Sequence, residues 1–323
     1  MKLNLGNAIK EALKAELSST TPTLFMGQDL HYNLYGYTDG LLEQFGKEKI
    51  LNTPISEATV VGTAIGAALC GVRTIVDLTV ANFMYIAMDQ IVNIASKNSY
   101  MYNGKLELPL TIMCGEFYNC GNAAQHSDRL HSLFINFPGL KIVAPNTPQN
   151  AYSLLRASIN DKNPVLYFSD RTLFYEESEV DLNFKIQIGN SSIIREGNKL
   201  TLLVVSGCVK TANELENEFI KLNLSVEIIE ISTINPLNLD NIYFSVKKTG
   251  RVVIADTSNR SGSFAEHLSS LIVENLFGFL KAPIKIVAYE DVPVPFANNL
   301  EKKLLPSKSK ILDSIIKVYF YNN

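Results

Sequence analysis

The sequence predicts an α/β fold with two three-layer domains whose sheets are mostly parallel. Short apolar runs rich in β-branched residues alternate with segments of helical periodicity along its 323 residues. This length corresponds to two domains of about 100 to 200 residues each. A polar, acidic stretch at 176–190 has no clear periodicity and separates two such alternating halves. We therefore predict a first domain over 1–175, a linker over 176–190 and a second domain over 191–323.

Each half contains the elements that this fold needs. In the first half, strands are predicted at 22–27, 74–80, 106–114, 140–144 and 164–168, with helices at 7–17, 58–70, 84–98 and 147–161. In the second half, strands are predicted at 201–205, 226–231 and 252–255, with helices at 209–223, 239–248 and 264–278. Thr147 followed by Pro148 is typical of a helix start.

Composition and charge narrow the possible partners. The net charge is −3 and the isoelectric point is near 5.9, which argues against nucleic acid or an anionic membrane as the main partner. Hydrophobic residues make up 46% of the chain, enough for a sizeable core. The 14 Tyr and 16 Phe favour a protein that also buries surface against another subunit.

The four cysteines indicate a reducing compartment. They lie far apart, at Cys70, Cys114, Cys120 and Cys208, and no signal peptide is recognisable before them. We expect reduced thiols and a cytoplasmic location. A zinc site from Cys114, Cys120, His126 and His131 is disfavoured, because their spacing matches no common zinc-binding pattern.

The stretch around Glu57 is the strongest candidate for chemistry. Pro54 favours an extended residue before it and Ser56 is a good N-cap, so a helix is predicted to begin here with Glu57 in its first turn. A carboxylate at that place is also explained by the helix dipole alone. The helix that follows has Gly62 and Gly66 four residues apart. Because each interior glycine costs about 1 kcal/mol, the pair suggests close approach of another backbone or a ligand.

A membrane span is the main structural alternative for this apolar helix. Its uncharged run ends at Arg73 after roughly 15 residues, below the ~20 that a bilayer requires. We therefore do not expect it to span a membrane.

Four motifs, in order along the chain, resemble those of one enzyme family. They are Thr-Pro-Ile-Ser-Glu at 53–57, Asp-Gln-Ile-Val-Asn at 89–93, Ala-Gln-His-Ser at 124–127 and Asp-Val-Pro-Val-Pro-Phe at 291–296. Together they resemble the beta subunits of the thiamine-diphosphate-dependent 2-oxo acid dehydrogenases, the first components of the pyruvate, branched-chain and acetoin dehydrogenase complexes. The resemblance implies a transketolase pyrimidine-binding domain followed by a transketolase C-terminal domain.

The resemblance also implies roles for four residues. Glu57 is expected to hydrogen-bond the ring nitrogen of the cofactor's aminopyrimidine and so promote proton removal from the thiazolium carbon. Ile55 and Phe83 are expected to contact the cofactor, with Phe83 stacking on the ring, although core packing is the simpler explanation of a Phe. His126 is expected to be a catalytic proton donor or substrate contact, although many histidines are structural.

One half of the expected site is absent from the sequence. No Gly-Asp-Gly followed by Asn some thirty residues later occurs, and Thr38-Asp39-Gly40 lacks the first glycine. That motif holds magnesium and the diphosphate in the superfamily, so the resemblance implies an alpha subunit that brings it, in a two-alpha, two-beta heterotetramer.

The sequence departs from the family at several places. Gln28 stands where relatives usually have an acid, which weakens a proposed proton path, since an amide cannot relay a proton. The loop with Phe117 and Tyr118 is bulkier, and Asp256 and Thr257 replace a His-Glu pair. Some relatives hold potassium through carbonyls that match Leu110, Ser158, Ile159, Asp161 and Asn163.

The function implied is decarboxylation of a small 2-oxo acid and transfer of its acyl group to the lipoyl arm of an acyltransferase partner. The departures keep open a lipoyl-independent carboligase or acyl-transfer subunit in a biosynthetic pathway. A third possibility, from another class, is a non-catalytic scaffold subunit.

Overall fold

The chain folds into two α/β units. The computed structural model describes residues 1–321. The first unit comprises Met1–Phe117 and Phe134–Ile188, and the second comprises Tyr118–Leu133 and, within the described residues, 189–321. Both units have mainly parallel sheets, which confirms the predicted fold class.

The first unit is built on six parallel strands. The strands of this sheet are β2 Thr23–Gln28, β3 Ile50–Thr53, β4 Arg73–Val80, β5 Leu110–Glu116, β6 Lys141–Val143 and β7 Val165–Asp170. They lie in the order β6-β7-β5-β4-β2-β3, and every paired neighbour is parallel. The α-helices are α1 Leu5–Leu17, α2 Leu41–Phe45, α3 Glu57–Leu69, α4 Asn98–Met101 and α5 Pro148–Ile159. The carboxyl ends of parallel strands share one edge, where open α/β sheets place ligands.

Two capped helices cover one face of this sheet. The Asn4 side chain accepts a hydrogen bond from Asn7 N at 2.8 Å and so begins α1. Thr147 Oγ1 accepts from Asn150 N at 3.1 Å and begins α5, as the sequence predicts. The buried faces of α1 and α5 pack against each other within one core cluster. None of the helices described for residues 1–321 is long and apolar enough to cross a membrane.

The segment expected to be a linker packs on the first unit. Its strand β8, Glu177–Glu179, pairs antiparallel with β1, Lys2–Asn4. Val180 is buried in the core of the first unit, and Leu182, Ile186 and Ile188 pack against that core. Spaced apolar residues within a polar stretch therefore hold this segment against the first unit, and the division at a linker over 176–190 stays a prediction.

Over 84–98, the prediction of a single regular helix is wrong. The structure has a 3-10 helix at Ala81–Ala87, a π-helix at Gln90–Ala95 and then α4. Ser96 N donates to Ile91 O at 2.9 Å, a hydrogen bond across five residues. These windings have similar apolar periods, so periodicity cannot separate them.

The second unit has a five-stranded sheet. The strands of this sheet are β9 Ser191–Arg195, β10 Leu200–Val205, β11 Val226–Ile231, β13 Val252–Asn259 and β14 Lys285–Tyr289. A further short strand, β12 Thr233–Asn235, is not part of this sheet. The sheet order is β14-β13-β10-β11-β9, parallel except for β9. The helices are α6 Cys208–Asn213, α7 Glu216–Lys221, α8 Asp240–Thr249, α9 Phe264–Leu276, α10 Asn298–Leu304 and α11 Lys308–Tyr319. The single helix predicted over 209–223 is therefore two helices.

Candidate active site

Glu57 lies at the first position of α3, as predicted. Ser56 is the N-cap residue, but its side chain does not cap the helix, because Ser56 Oγ donates to Thr59 Oγ1 at 2.8 Å instead. The Glu57 side chain is only 7% exposed. Its carboxyl forms no hydrogen bond or ion pair with any residue of the described chain. A buried carboxyl that lacks a protein partner is costly, so this one is suited to a ligand.

A small pocket surrounds this carboxyl at the carboxyl ends of three neighbouring strands. Gln28 ends β2, Thr53 ends β3, and Asp77 and Leu78 lie near the end of β4. The register pairs Gln28 with Thr53 and Gly27 with Asp77, so the strand pairing sets these side chains side by side. Thr53 Oγ1 is buried and has no hydrogen-bond partner in residues 1–321. The pocket thus combines two carboxyls, an amide and an unsatisfied hydroxyl.

Asp77 is a second acid of the pocket that the sequence reasoning missed. Its carboxyl is 5% exposed and accepts hydrogen bonds from Tyr37 Oη and Thr79 N, both at 2.7 Å. Burial raises the pKa of Asp77 to about 6, although these two donors oppose the rise. The available signal was an acidic residue in the middle of β4, whose residues are all buried.

The two predicted cofactor contacts lie on the same unit. Ile55 is two residues before Glu57 and is 74% exposed. Phe83 is half-buried in the 3-10 helix at Ala81–Ala87, which packs against α3. Ile55 thus exposes an apolar side chain close in sequence to the buried acid.

His126 belongs to the second unit. It is exposed, at the end of a 3-10 helix at Ala124–His126. The segment that carries it, Tyr118–Leu133, groups with the second unit and not with the first domain predicted over 1–175.

Several polar contacts fasten that segment to the sheet of the second unit. His131 Nε2 lies 3.0 Å from Asp256 Oδ1, and Ser132 Oγ donates to Ser258 Oγ at 3.0 Å. Burial raises the pKa of Asp256, but the charge and hydrogen bond of His131 together with hydrogen bonds from Ser258 outweigh it, and the net pKa is below the ordinary value. Asp256, which departs from the family pattern, therefore has a buried partner on the segment that bears His126.

A second anchor of the segment involves Arg129. Arg129 Nη2 donates to Asn259 Oδ1 at 3.2 Å, and its guanidinium lies 4.0 Å from the centre of the Tyr289 ring. These contacts explain why 118–133 follows the second unit, although it lies within the first half of the sequence.

The residues matched to potassium ligands lie around the ends of α5 and β5. Leu110 begins β5, Ser158 and Ile159 end α5, and Asp161 and Asn163 follow. The Asp161 carboxylate accepts from Asn163 N at 2.9 Å and pairs with Lys141 Nζ at 2.5 Å. Within residues 1–321, no group of three or more His, Cys, Asp or Glu side chains is arranged to hold a metal ion. The four cysteines are free thiols.

The glycines of α3 have little of the described chain beside them. A Cβ at Gly66 would meet no atom within 4 Å, and one at Gly62 would meet only Gln90 Cγ, at 3.8 Å. The close approach predicted from these glycines is therefore not made by the described chain itself.

Comparisons with known proteins agree with this architecture. A family model for the transketolase pyrimidine-binding domain matches residues 1–176, and one for the transketolase C-terminal domain matches residues 189–311. A solved structure described as a split gene transketolase, inactive beta4 tetramer, has a TM-score of 0.82 at 16% identity, over 98% of both chains. This likeness supports the fold.

Relatives that match along nearly the whole chain define the family more narrowly than the two domain models do. The pyruvate dehydrogenase E1 component subunit beta of Rickettsia felis is 35% identical over 100% of both chains. The beta subunit of the acetoin:2,6-dichlorophenolindophenol oxidoreductase of Bacillus subtilis is 34% identical over 98% of this chain and 97% of its own. The chain therefore belongs to the transketolase-like family of 2-oxo acid dehydrogenase first-component beta subunits.

Proposed function

We propose that this chain is the beta subunit of a heteromeric thiamine diphosphate enzyme that decarboxylates a 2-oxo acid and passes the acyl group to a lipoyl arm. The observation that carries the proposal is the Glu57 carboxyl, which is buried at a helix start without a partner in the described chain. The names of the relatives, a pyruvate dehydrogenase and an acetoin oxidoreductase, support the reaction class.

The chemistry of the groups around Glu57 suits the aminopyrimidine of this cofactor. In the pocket, Glu57 offers a carboxyl for a ring nitrogen, and Thr53 Oγ1 is a buried polar atom without a partner in the described residues. Phe83, on the 3-10 helix that packs against α3, offers a ring for stacking. When bound, thiamine diphosphate supplies the nucleophilic carbon and the electron sink. Glu57 holds a proton at the ring nitrogen and thereby controls proton transfer at the nucleophilic carbon. Ile55 adds an apolar wall that limits access of water.

His126 is proposed as the second catalytic group. An imidazole can donate or accept a proton near neutral pH, and the His126 side chain is exposed on the second unit. We assign to it contact with the substrate or donation of a proton during acyl transfer. The anchors at His131 and Arg129 fix the segment that presents it.

An alpha subunit completes the site in this proposal. The chain lacks the Gly-Asp-Gly motif, so magnesium and the diphosphate are assigned to the partner, in a two-alpha, two-beta heterotetramer. Exposed Ile55 and the open surface at Gly66 support a chain that packs against another protein. Potassium at the end of α5 and a cytoplasmic location remain predictions.

Reconstitution tests this function. The chain is purified alone and with a co-encoded alpha chain that carries Gly-Asp-Gly, and thiamine diphosphate binding with magnesium is measured by calorimetry. We expect binding and release of carbon dioxide from a 2-oxo acid only with the pair. Binding and turnover by the chain alone would contradict the proposal, as would a well-assembled pair that binds no cofactor.

A lipoyl-independent carboligase is the second candidate, and Gln28 favours it. This amide lines the pocket beside Glu57 and cannot relay a proton as a carboxyl would. The same purified pair is supplied with a 2-oxo acid and either a lipoyl domain or an aldehyde. Acylation of the lipoyl domain supports the dehydrogenase, and carbon–carbon bond formation without lipoyl acylation supports the carboligase.

A further inference from the structure

We propose that Asp77 is a positioning residue of the Glu57 pocket. Its carboxylate, held by Tyr37, fixes a bulge in β4 and thereby sets where the Phe83 segment leaves the sheet. The inference rests on the proposed function, because Phe83 and Glu57 are the two groups assigned to the aminopyrimidine. It assigns a role to a residue outside that pair.

The bulge is visible in the strand register. Asp77 pairs with Met113 of β5, and the next pair joins Val80 to Gly115, with a register shift between them. Three steps along β4 thus correspond to two along β5, so β4 contains one extra residue. Bulges of this kind redirect a strand and are frequent beside active sites.

Thr79, inside the bulge, has a strained backbone. Its φ is +67°, in the left-handed region that β-branched residues rarely adopt. Its hydroxyl is buried and has no hydrogen-bond partner among the described residues. Such a conformation persists only where the surroundings hold it, and it is common at ligand sites. The group that holds it is Asp77, whose Oδ1 accepts from Thr79 N at 2.7 Å.

Asp77 is itself fixed on two sides. Tyr37 Oη donates to its Oδ2 at 2.7 Å, and Tyr37 is 4% exposed. On the β2 side, a Cβ at Gly27 would lie 2.6 Å from Asp77 O, so only glycine lets the two strands approach this closely. Tyr37 therefore holds the carboxylate, and the close approach at Gly27 holds the backbone of Asp77 beside β2.

The chain beyond the bulge carries Phe83. Val80 ends β4 and leads directly into the 3-10 helix at Ala81–Ala87, which contains Phe83 and packs on α3. Because Glu57 begins α3, the bulge sets the position of Phe83 relative to Glu57. A displacement of about 1 Å between positioning groups can cost about a hundredfold in rate.

Three variants test the role. Asp77→Ala removes both hydrogen bonds, Tyr37→Phe removes one, and Asp77→Asn keeps an acceptor for Thr79 N and a partner for Tyr37. Each is assembled with the alpha partner, and the dissociation constant of thiamine diphosphate and the near-ultraviolet circular dichroism of the bound cofactor are measured beside kcat. Asp39→Ala, an exposed acid paired with Lys10, is the matched control.

We expect Asp77→Ala to weaken cofactor binding by about tenfold or more and to alter the dichroism signal, with a smaller change in Tyr37→Phe. Asp77→Asn and the control should keep the wild-type signal. A purely structural role would lower the melting temperature without changing the affinity or the signal of the assembled enzyme. Wild-type affinity and signal in both Asp77→Ala and Tyr37→Phe would overturn the inference, and Tyr37→Phe decides alone if Asp77→Ala does not assemble.

Cofactor binding by the wild-type pair distinguishes a failure of this inference from a failure of the proposed function. A wild-type pair that binds no cofactor refutes the proposed function, and the inference fails with it. A wild-type pair that binds cofactor, alongside unaffected variants, refutes the inference alone.

Discussion

His131 Nε2 lies 3.0 Å from Asp256 Oδ1, and both side chains are fully buried in the second unit. His131 follows His126 by five residues, and Asp256 lies on β13, so this pair joins the His126 segment to the sheet. Removing one partner of a buried charge pair typically costs about 3 to 5 kcal/mol, because the remaining group loses its compensating charge.

The first prediction concerns this pair. Asp256→Ala should destabilise the chain by about 3 kcal/mol at pH 7, measured by urea unfolding. Because the folded-state pKa of Asp256 is lowered, the stabilisation is present above the unfolded pKa, near 3.8, and is lost as pH falls through the folded value. The difference from wild type should therefore shrink below pH 4. Asp240→Ala, at an exposed helix start, is the control, and an equal loss there would contradict the prediction.

The second prediction concerns Glu16, a buried acid of the first unit. Its carboxylate pairs with Arg73 Nη1 at 2.8 Å and with Arg156 Nε at 2.7 Å, and it also accepts from Asn160 Nδ2 at 2.9 Å. Glu16→Ala leaves the buried Arg73 without its carboxylate and should cost about 3 kcal/mol or more in unfolding free energy.

A surface pair provides the control for Glu16. Glu107 and Lys162 are mostly exposed, and Glu107→Ala should change the unfolding free energy by less than about 1 kcal/mol. Equal effects of the two substitutions would show that the Glu16 network does not stabilise the first unit.

The third prediction concerns the stability cost of Asp77. Its folded pKa is raised to about 6, so the folded state binds the proton more tightly than the unfolded state. This favours folding at low pH, and the advantage is lost as pH rises from about 4 to about 6. At pH 7 and above, ionised Asp77 costs stability, and Asp77→Asn should raise the unfolding free energy by on the order of 1 to 3 kcal/mol. The gain should fall toward zero near pH 4, and a gain that does not vary with pH would contradict the prediction.

The fourth prediction concerns the exposed face of α3. Gly66→Ala should stabilise the isolated chain by about 0.5 to 1 kcal/mol, because a helix-interior glycine is replaced and the new Cβ meets no atom within 4 Å. If a partner packs there, the same substitution should weaken assembly, measured by sedimentation with the alpha chain. Gly278→Ala, also with open space around a new Cβ but outside α3, is the control. Unchanged assembly would place the partner elsewhere.

Much of the fold could be predicted because the local signals agree with the tertiary structure. Pro54 and Ser56 correctly place the start of α3, and Thr147 with Pro148 correctly places α5. Periodicity, however, cannot distinguish the 3-10 and π windings after β4. It also does not predict β9 and β14. These segments are strands because they pair with β11 and β13, respectively.

The parts of the site that were missed depend on contacts distant in sequence. The segment 118–133 is held in place by the contact of its His131 with Asp256, which lies 125 positions later in the sequence. The role of Asp77 depends on a hydroxyl 40 positions away, on Tyr37, and on a one-residue register shift. Neither relationship leaves a local pattern, so only the structure reveals them.

The most direct test of the proposed chemistry is turnover by Glu57→Gln in the assembled pair, with thiamine diphosphate affinity measured on the same preparation. Gln retains the size and polarity of the side chain but cannot share a proton with a ring nitrogen. We predict folded, assembled enzyme that still binds cofactor, with kcat reduced by about 10² to 10⁴. Wild-type kcat in this variant would contradict the assignment of Glu57 as the proton-sharing acid.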